Sequence, residues 1–120
     1  MKYVDGFLLP VPKKNIAAYA RMSKRAGRIW KEHGALEYRE TVGEDLDTKM
    51  GVPFAKGARA KPGEAVVFSW IVYKSRAHRD RVNKKVMSDP RMQKMMSKKD
   101  TMPFDVKRMM YAGFEVIVDL

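Results

Sequence analysis

Three carboxylates fall where a side chain can do acid–base work. Asp5, Glu40 and Glu115 each lie inside a stretch of alternating apolar residues, the pattern of a β-strand. A carboxylate on a covered strand face is either paired or pushed to a raised pKa, and both conditions mark a pocket. The competing reading is an edge or rim position, which suits Glu115. For Asp5, flanked by Tyr3 and Phe7, both readings stand.

The other reactive residue types are few. There is no cysteine, so disulfides, thiolate nucleophiles and cysteine metal sites are excluded together. This fits a reducing compartment. The two histidines, His33 and His78, sit near the end of one helical stretch and in the first turn of another, with no metal-ligand spacing between them. His33 near a helix C-terminus is favoured by the dipole when protonated. The string His78-Arg79-Asp80 matches the catalytic loop of protein kinases, but Lys85 stands where that loop needs Asn, and no Gly-rich loop accompanies it. Its helical reading is ion pairing of Asp80 with Arg76 and Lys84 at i, i+4. Seven of the ten methionines lie between 87 and 110, and with no Cys or His beside them they read as core filling rather than a soft-metal site. No nucleophile elbow, P-loop, dinucleotide fingerprint or zinc-protease motif occurs.

The elements that must position these residues alternate between two periods. Residues 2–10 read as a strand ended by Pro10 and Pro12, with Tyr3, Asp5, Phe7 and Leu9 on one face. Residues 13–34 read as an amphipathic helix with Asn15 as N-cap and Gly34 as C′ residue, its inner stripe running through Ile16, Ala20, Ser23, Gly27 and Trp30. A half-exposed strand follows over 36–42, then a Gly/Pro/Lys-rich loop over 47–63, long enough to be a lid, binding loop or hairpin extension. Residues 64–74 are apolar on both parities, as in a central strand. Residues 75–99 are helical, with Ser75 as cap, Ala77, Val82 and Val86 facing inward, and a break and restart at Asp89-Pro90. Residues 107–119 alternate again. Met110, Ala112, Phe114, Val116 and Val118 are expected to pack under the helices, leaving Asp105 and Arg108 at the mouth of that strand.

The order β-α-β-β-α-β in 120 residues predicts one ferredoxin-like domain, an α+β fold. Its four-stranded antiparallel sheet has strands one and three in the centre and both helices on one face. The other face, expected to carry Tyr3, Phe7 and Leu9, is too apolar to stay wet, so a sheet-to-sheet homodimer is expected.

Lys and Arg outnumber Asp and Glu by 25 to 14, a net charge of +11. The helical stretches account for it: residues 13–33 carry seven basic residues against one Glu, and 74–100 carry ten against three Asp. The positive field therefore covers the outer helical layer, where it attracts polyanions. A ferredoxin-like RNA reader instead uses aromatics on the open sheet face. Nucleic acid is thus expected as a nonspecific partner at most. The opening stretch is broken by Asp5 and Gly6, which does not fit a signal peptide, and no apolar run approaches the roughly 20 residues of a membrane span. A cytoplasmic protein without a membrane partner is expected.

The blocks "YVDGFLLPVPKKN", "WKEHGALEY", "ETVGEDL", "VVFSWIVYKSRAHRDRVNKKVMSDPRM" and "MPFDVKRMMYAGFEVIVD" together resemble the YbaA-like bacterial family of unknown function, essentially end to end. The family has Gly after "MPFD"; here Val106 stands there. The family is similar to the dimeric α/β-barrel superfamily, which pairs two ferredoxin-like sheets. That superfamily includes cofactor-independent monooxygenases, haem proteins, enzymes acting on small aromatic or lactone substrates, and ligand sensors, with pockets between the sheet and its helices or loops. The resemblance thus implies a small-molecule pocket and an enzyme of cofactor-independent monooxygenase or isomerase type. It supplies no catalytic residue. The pocket candidates are Tyr3, Asp5, Glu40, Phe54, Trp70, His78, Arg79, Asp105 and Arg108, with Asp5 or Glu40 as a base and Arg79 or Arg108 as an anion clamp. Tyr3 and Asp5 qualify only if the faces of the first strand are reversed. No cofactor or metal is expected. Two further readings are an RNA or polyanion module using the basic helical face, and a purely structural dimer.

Overall fold

A computed structural model describes residues 1–98 and 101–120; Lys99 and Asp100, at the end of the second basic helical stretch, lie outside the described residues. Four strands form one antiparallel sheet: β1 (Tyr3–Pro12), β2 (Glu37–Val42), β3 (Glu64–Tyr73) and β4 (Met110–Glu115), in the order β2-β3-β1-β4. Helix α1 (Ile16–Glu32) crosses from β1 to β2, and α3 (Arg76–Met87) and α4 (Pro90–Met96) lead from β3 to β4. The short helix α2 (Phe54–Gly57) lies in the long loop. This is the α+β, ferredoxin-like arrangement with β1 and β3 in the centre. No helix among the described residues is long and apolar enough to cross a membrane.

Helix boundaries follow local chemistry. Gly34 takes φ +118° just past α1, the left-handed conformation that lets a chain leave a helix without a Cβ penalty. Ser75 accepts from the His78 N–H to start α3, and Asp89 accepts from the Arg91 N–H to restart the chain as α4 behind Pro90. Asn15 stands at the N-cap of α1 but makes no cap bond; its Nδ2 donates to the Pro103 carbonyl, 3.0 Å away, and ties down the segment before β4.

β1 runs through both prolines instead of ending at them. β4 pairs with it only as far as Leu8, so at Pro10 and Pro12 one side of β1 is an edge, where a residue lacking N–H costs no ladder bond.

The faces of the sheet are reversed from the sequence expectation at both β1 and β4. Leu9 and Val11 are fully buried against Tyr19 of α1 and Val67 of β3. Tyr3, Asp5 and Phe7 share that parity and face the helices. By register, Glu115, Gly113 and Tyr111 of β4 lie beside them. Met110, Ala112 and Phe114 therefore point to the open face beside Leu8, Gly6 and Val4, not under the helices, and Val116 and Val118 lie beyond the strand. The open face is nonetheless apolar: Phe68, Met110 and Phe114 are each about half exposed there, and the Phe54 ring packs on Phe68, 5.9 Å between centroids.

Smaller departures share one cause, the exact turn of each helix. Ala20 and Ala77 face solvent, while Tyr19 and Ile29 join Ser23 and Gly27 inside. Asp80 pairs with its neighbour Arg79 (2.9 Å) rather than with Arg76 or Lys84. Of the clustered methionines Met92 is buried and Met95 packs on the core, but Met87, Met96 and Met110 are exposed.

Candidate functional site

A cavity of about 190 Å³ lies between the sheet and α1. Its floor is the row Glu40, Ser69 and Phe7, side by side on β2, β3 and β1, with Tyr38 and Ile71 one row along. Tyr19, Ser23 and Trp30 come down from α1, and Phe104 and Met109 close it from the segment before β4. The Phe104 ring meets Tyr19 edge-on at 5.5 Å. Gly27 sets the separation of helix and sheet, because a Cβ there would come within 2.6 Å of the Tyr38 ring.

Glu40 is the focus of the polar groups. Tyr19 Oη donates to its Oε1 at 2.8 Å, and Ser23 Oγ donates to Oε2. With the serine proton so directed, Tyr38 Oη is the donor to Ser23 Oγ at 2.8 Å. Burial, reinforced by the Glu40 charge, pushes the Tyr19 phenol far above its ordinary range. Burial also raises Tyr38. Both phenols thus stay protonated and act as donors. Among the described residues no cation pairs with Glu40, so this carboxylate is held by neutral hydroxyls inside an aromatic wall.

A second polar cluster lies nearer the other end of the same face. Arg79 of α3 donates to Asp5 Oδ1 at 3.0 Å and to Tyr111 Oη at 2.8 Å, and its guanidinium stacks over the Tyr3 ring at 4.9 Å. Asp5 is 1% exposed. Burial raises its pKa, against the opposing pull of Arg79. Close by, the Asn83 carbonyl accepts from both Trp30 Nε1 and Tyr73 Oη, each at 3.1 Å. Among the described residues the one fully buried side-chain polar atom without a hydrogen-bond partner is Arg79 Nε, which lies 2.9 Å from Asp80 without the geometry of a hydrogen bond. The arrangement is that of a structural ion pair.

The nine sequence candidates therefore separate. Glu40 is in the cavity, whereas the Trp70 side chain stands on the opposite face of the sheet beside Phe68 (5.5 Å between centroids), where its indole donates to Glu37 at 3.0 Å. Tyr3, Asp5 and Arg79 form the second cluster, and His78 accepts there from the Lys74 N–H. Phe54 lies on the opposite face of the sheet. Asp105 caps the turn before β4 through the Lys107 N–H, and Arg108 grips both oxygens of Glu64 at 2.7 and 2.9 Å. Arg108 is thus a clamp on the end of the long loop, not an anion site. Sequence reasoning passed over Tyr19, Tyr38, Ser69 and Phe104 as site residues. One signal was present: Ser23 is a hydroxyl in an otherwise apolar inward stripe. Among the described residues no group of three or more His, Asp or Glu is placed to hold a metal ion.

Comparison with known proteins agrees with this architecture. Residues 2–106 match the family model described as "Protein of unknown function (DUF1428)". The chain is 45% identical over 119 residues to the uncharacterized protein YbaA of Escherichia coli K12, covering 99% of each. Among solved structures it resembles an uncharacterized NIPSNAP domain protein from Burkholderia xenovorans, with TM-score 0.59 at 13% identity over 95% of this chain and 93% of that one. It also resembles SnoaB, a cofactor-independent oxygenase from Streptomyces nogalater, with TM-score 0.58 at 11% identity over 99% and 96%. At such identities the structural likeness is one of fold.

Proposed function

This chain belongs to the DUF1428 family of proteins of unknown function, and we propose that it works as a homodimer whose subunits each bind a small, largely apolar molecule under α1 and remove a proton from it with Glu40. The observation that carries this reading is a carboxylate bound by hydroxyls, with no cation partner among the described residues, in an aromatic-walled cavity. A volume of about 190 Å³ suits a single ring with small substituents, since a cavity of about 150 Å³ already admits benzene. When Glu40 takes the proton it no longer needs its hydroxyl donors, and Tyr19 and Ser23 can turn to the oxyanion left on the substrate. Generating such an electron-rich anion is the step shared by cofactor-independent oxygenases, the activity SnoaB is named for, and by double-bond isomerases.

The dimer rests on the open sheet face. Leu8, Phe68, Trp70, Met110 and Phe114 form an apolar surface that a second sheet would bury.

Two single-ring probes test the chemistry: isomerisation of 3-cyclohexenone, followed by absorbance, and oxygen uptake with hydroquinone. We expect a rate above buffer with one of them and a loss of at least a hundredfold in Glu40→Gln. An equal rate in that variant would remove Glu40 as the base, and no rate with either probe counts against the enzymatic reading. Light scattering tests assembly: a wild-type dimer at micromolar concentration and a monomeric Phe68→Glu are expected, and a wild-type monomer rejects the sheet-to-sheet pair.

A further inference from the structure

A groove of about 750 Å³ runs between α1 and α4. Its floor is apolar, made of Met22, Ile29, Met95 and Met102. Its walls are basic. Arg21, Arg25 and Arg28 recur at i, i+4 and i+7 along one edge of α1, and Lys94 and Lys98 stand on the opposite wall. Arg91 also lines the groove but is taken up by Glu32 (2.6 Å) and Asp89 (2.9 Å). The other five cations have no carboxylate partner among the described residues.

We infer that this groove is a docking site for an acidic amphipathic α-helix, one with an apolar stripe flanked by carboxylates. Charge complementarity selects the occupant. The basic residues are spread along the groove, whose α1 wall from Ala18 to Glu32 is about 21 Å long at 1.5 Å per residue. A ligand with a single anionic head would use cations at one end only. A helix of about four turns presents carboxylates along the whole length. A flat anionic bilayer does not reach a floor set between two ridges. A nucleic acid strand has nothing to stack on, because no aromatic residue lines the groove. A second copy of this chain does not supply such a helix, because its own helical stretches are basic: residues 13–33 carry seven Lys and Arg against one Glu, and 74–100 carry ten against three Asp. The methionines supply a surface that adapts to different apolar stripes, as in other helix-in-groove sites.

The test uses an 18-residue synthetic peptide with leucines at i, i+3, i+4 and i+7 spacing and glutamates on both flanks, labelled for fluorescence anisotropy at 0.15 M salt. A scrambled peptide of identical composition, poly(U) and phosphatidylglycerol vesicles serve as competitors. We expect the amphipathic peptide to bind at least tenfold more tightly than the scrambled one. The exposed double change Arg25→Glu with Arg28→Glu should weaken it at least tenfold. The floor change Met102→Gln, which spares the core contact of Met95, should weaken it about fivefold, with an unchanged circular dichroism spectrum and thermal midpoint confirming the fold. Equal binding of the scrambled peptide overturns the proposal, as does a floor change that leaves both fold and affinity intact. Tighter binding of poly(U) or vesicles, sensitive to the arginines but not to Met102, reassigns the groove to polyanion attraction and overturns it as well.

Discussion

Glu40 and Asp5 lie on the same face of one sheet, on β2 and β1 with β3 between them and one row apart in register. Both are carboxylates under helices, yet their surroundings differ in kind. Asp5 is fully buried and neutralised by Arg79, whose guanidinium is itself capped by the Tyr3 and Tyr111 side chains. Glu40 is half-buried, faces a cavity, and is held, among the described residues, by hydroxyls alone. Asp5 is one half of a buried ion pair, whereas the partners of Glu40 are neutral donors, which can turn to another acceptor without leaving a buried charge unpaired. On the proposed reading, the difference makes Asp5 a strut of the fold and Glu40 the proton acceptor.

The largest expected effect breaks the strut. Arg79→Leu leaves Asp5 buried without its cation and should cost about 3–5 kcal/mol in urea unfolding. A cost below about 1 kcal/mol would show that the pair is not structural. The pH dependence of this loss has a definite sign. Burial raises the folded-state pKa of Asp5, and without Arg79 it rises further. The folded variant then holds a proton that the unfolded chain has released. Stability of Arg79→Leu should therefore recover as pH falls through that raised pKa, levelling off below the unfolded value of about 3.9.

The next effect sharpens the cavity. Gly27→Ala places a Cβ 2.6 Å from the Tyr38 ring. Overpacking costs about 1–3 kcal/mol, against a helix-propensity gain of up to about 1 kcal/mol. A net loss of stability is expected, and binding of single-ring probes should weaken as α1 or Tyr38 shifts. Glu40→Gln comes third: it keeps an acceptor oxygen, so its cost should stay near 1 kcal/mol while the proton chemistry is lost. A destabilisation as large as that of Arg79→Leu would make Glu40 a strut too and erase the contrast. The smallest effect concerns neither cluster. Arg108 bonds hold the Glu64 carboxyl at about 2, so its carbon resonance should titrate there and move back toward the ordinary carboxylate range in Arg108→Gln. An unshifted titration in that variant would mean that the clamp does not set the Glu64 pKa.

Much of the architecture was legible because it rests on local signals. Gly34, Ser75 and the Asp89-Pro90 pair mark helix ends by chemistry that acts over three or four residues. The candidate site was less so. Glu40 could be singled out as a carboxylate in a strand pattern, but its donors come from a helix 17 to 21 residues earlier in the chain, and nothing in the spacing of Tyr19 and Ser23 points to Glu40. Arg108 misled because a basic residue at a strand mouth looks like an anion clamp until its partner Glu64, 44 residues away, is in view.

The order of elements, the central place of β1 and β3, and the concentration of positive charge on the helices were determined by the sequence alone, because period, capping residues and composition are properties of short windows. Which side of the sheet the helices cover was decided only by the tertiary structure. β1, β3 and β4 carry apolar residues on both parities, so alternation groups their side chains into two sets without saying which set faces inward. A one-residue shift in pairing exchanges the sets completely. The set of Tyr3, Asp5, Phe7 and Leu9, expected on the helix-free face, lies under the helices instead, where Arg79, 74 residues later, follows Asp5 into the core and neutralises it.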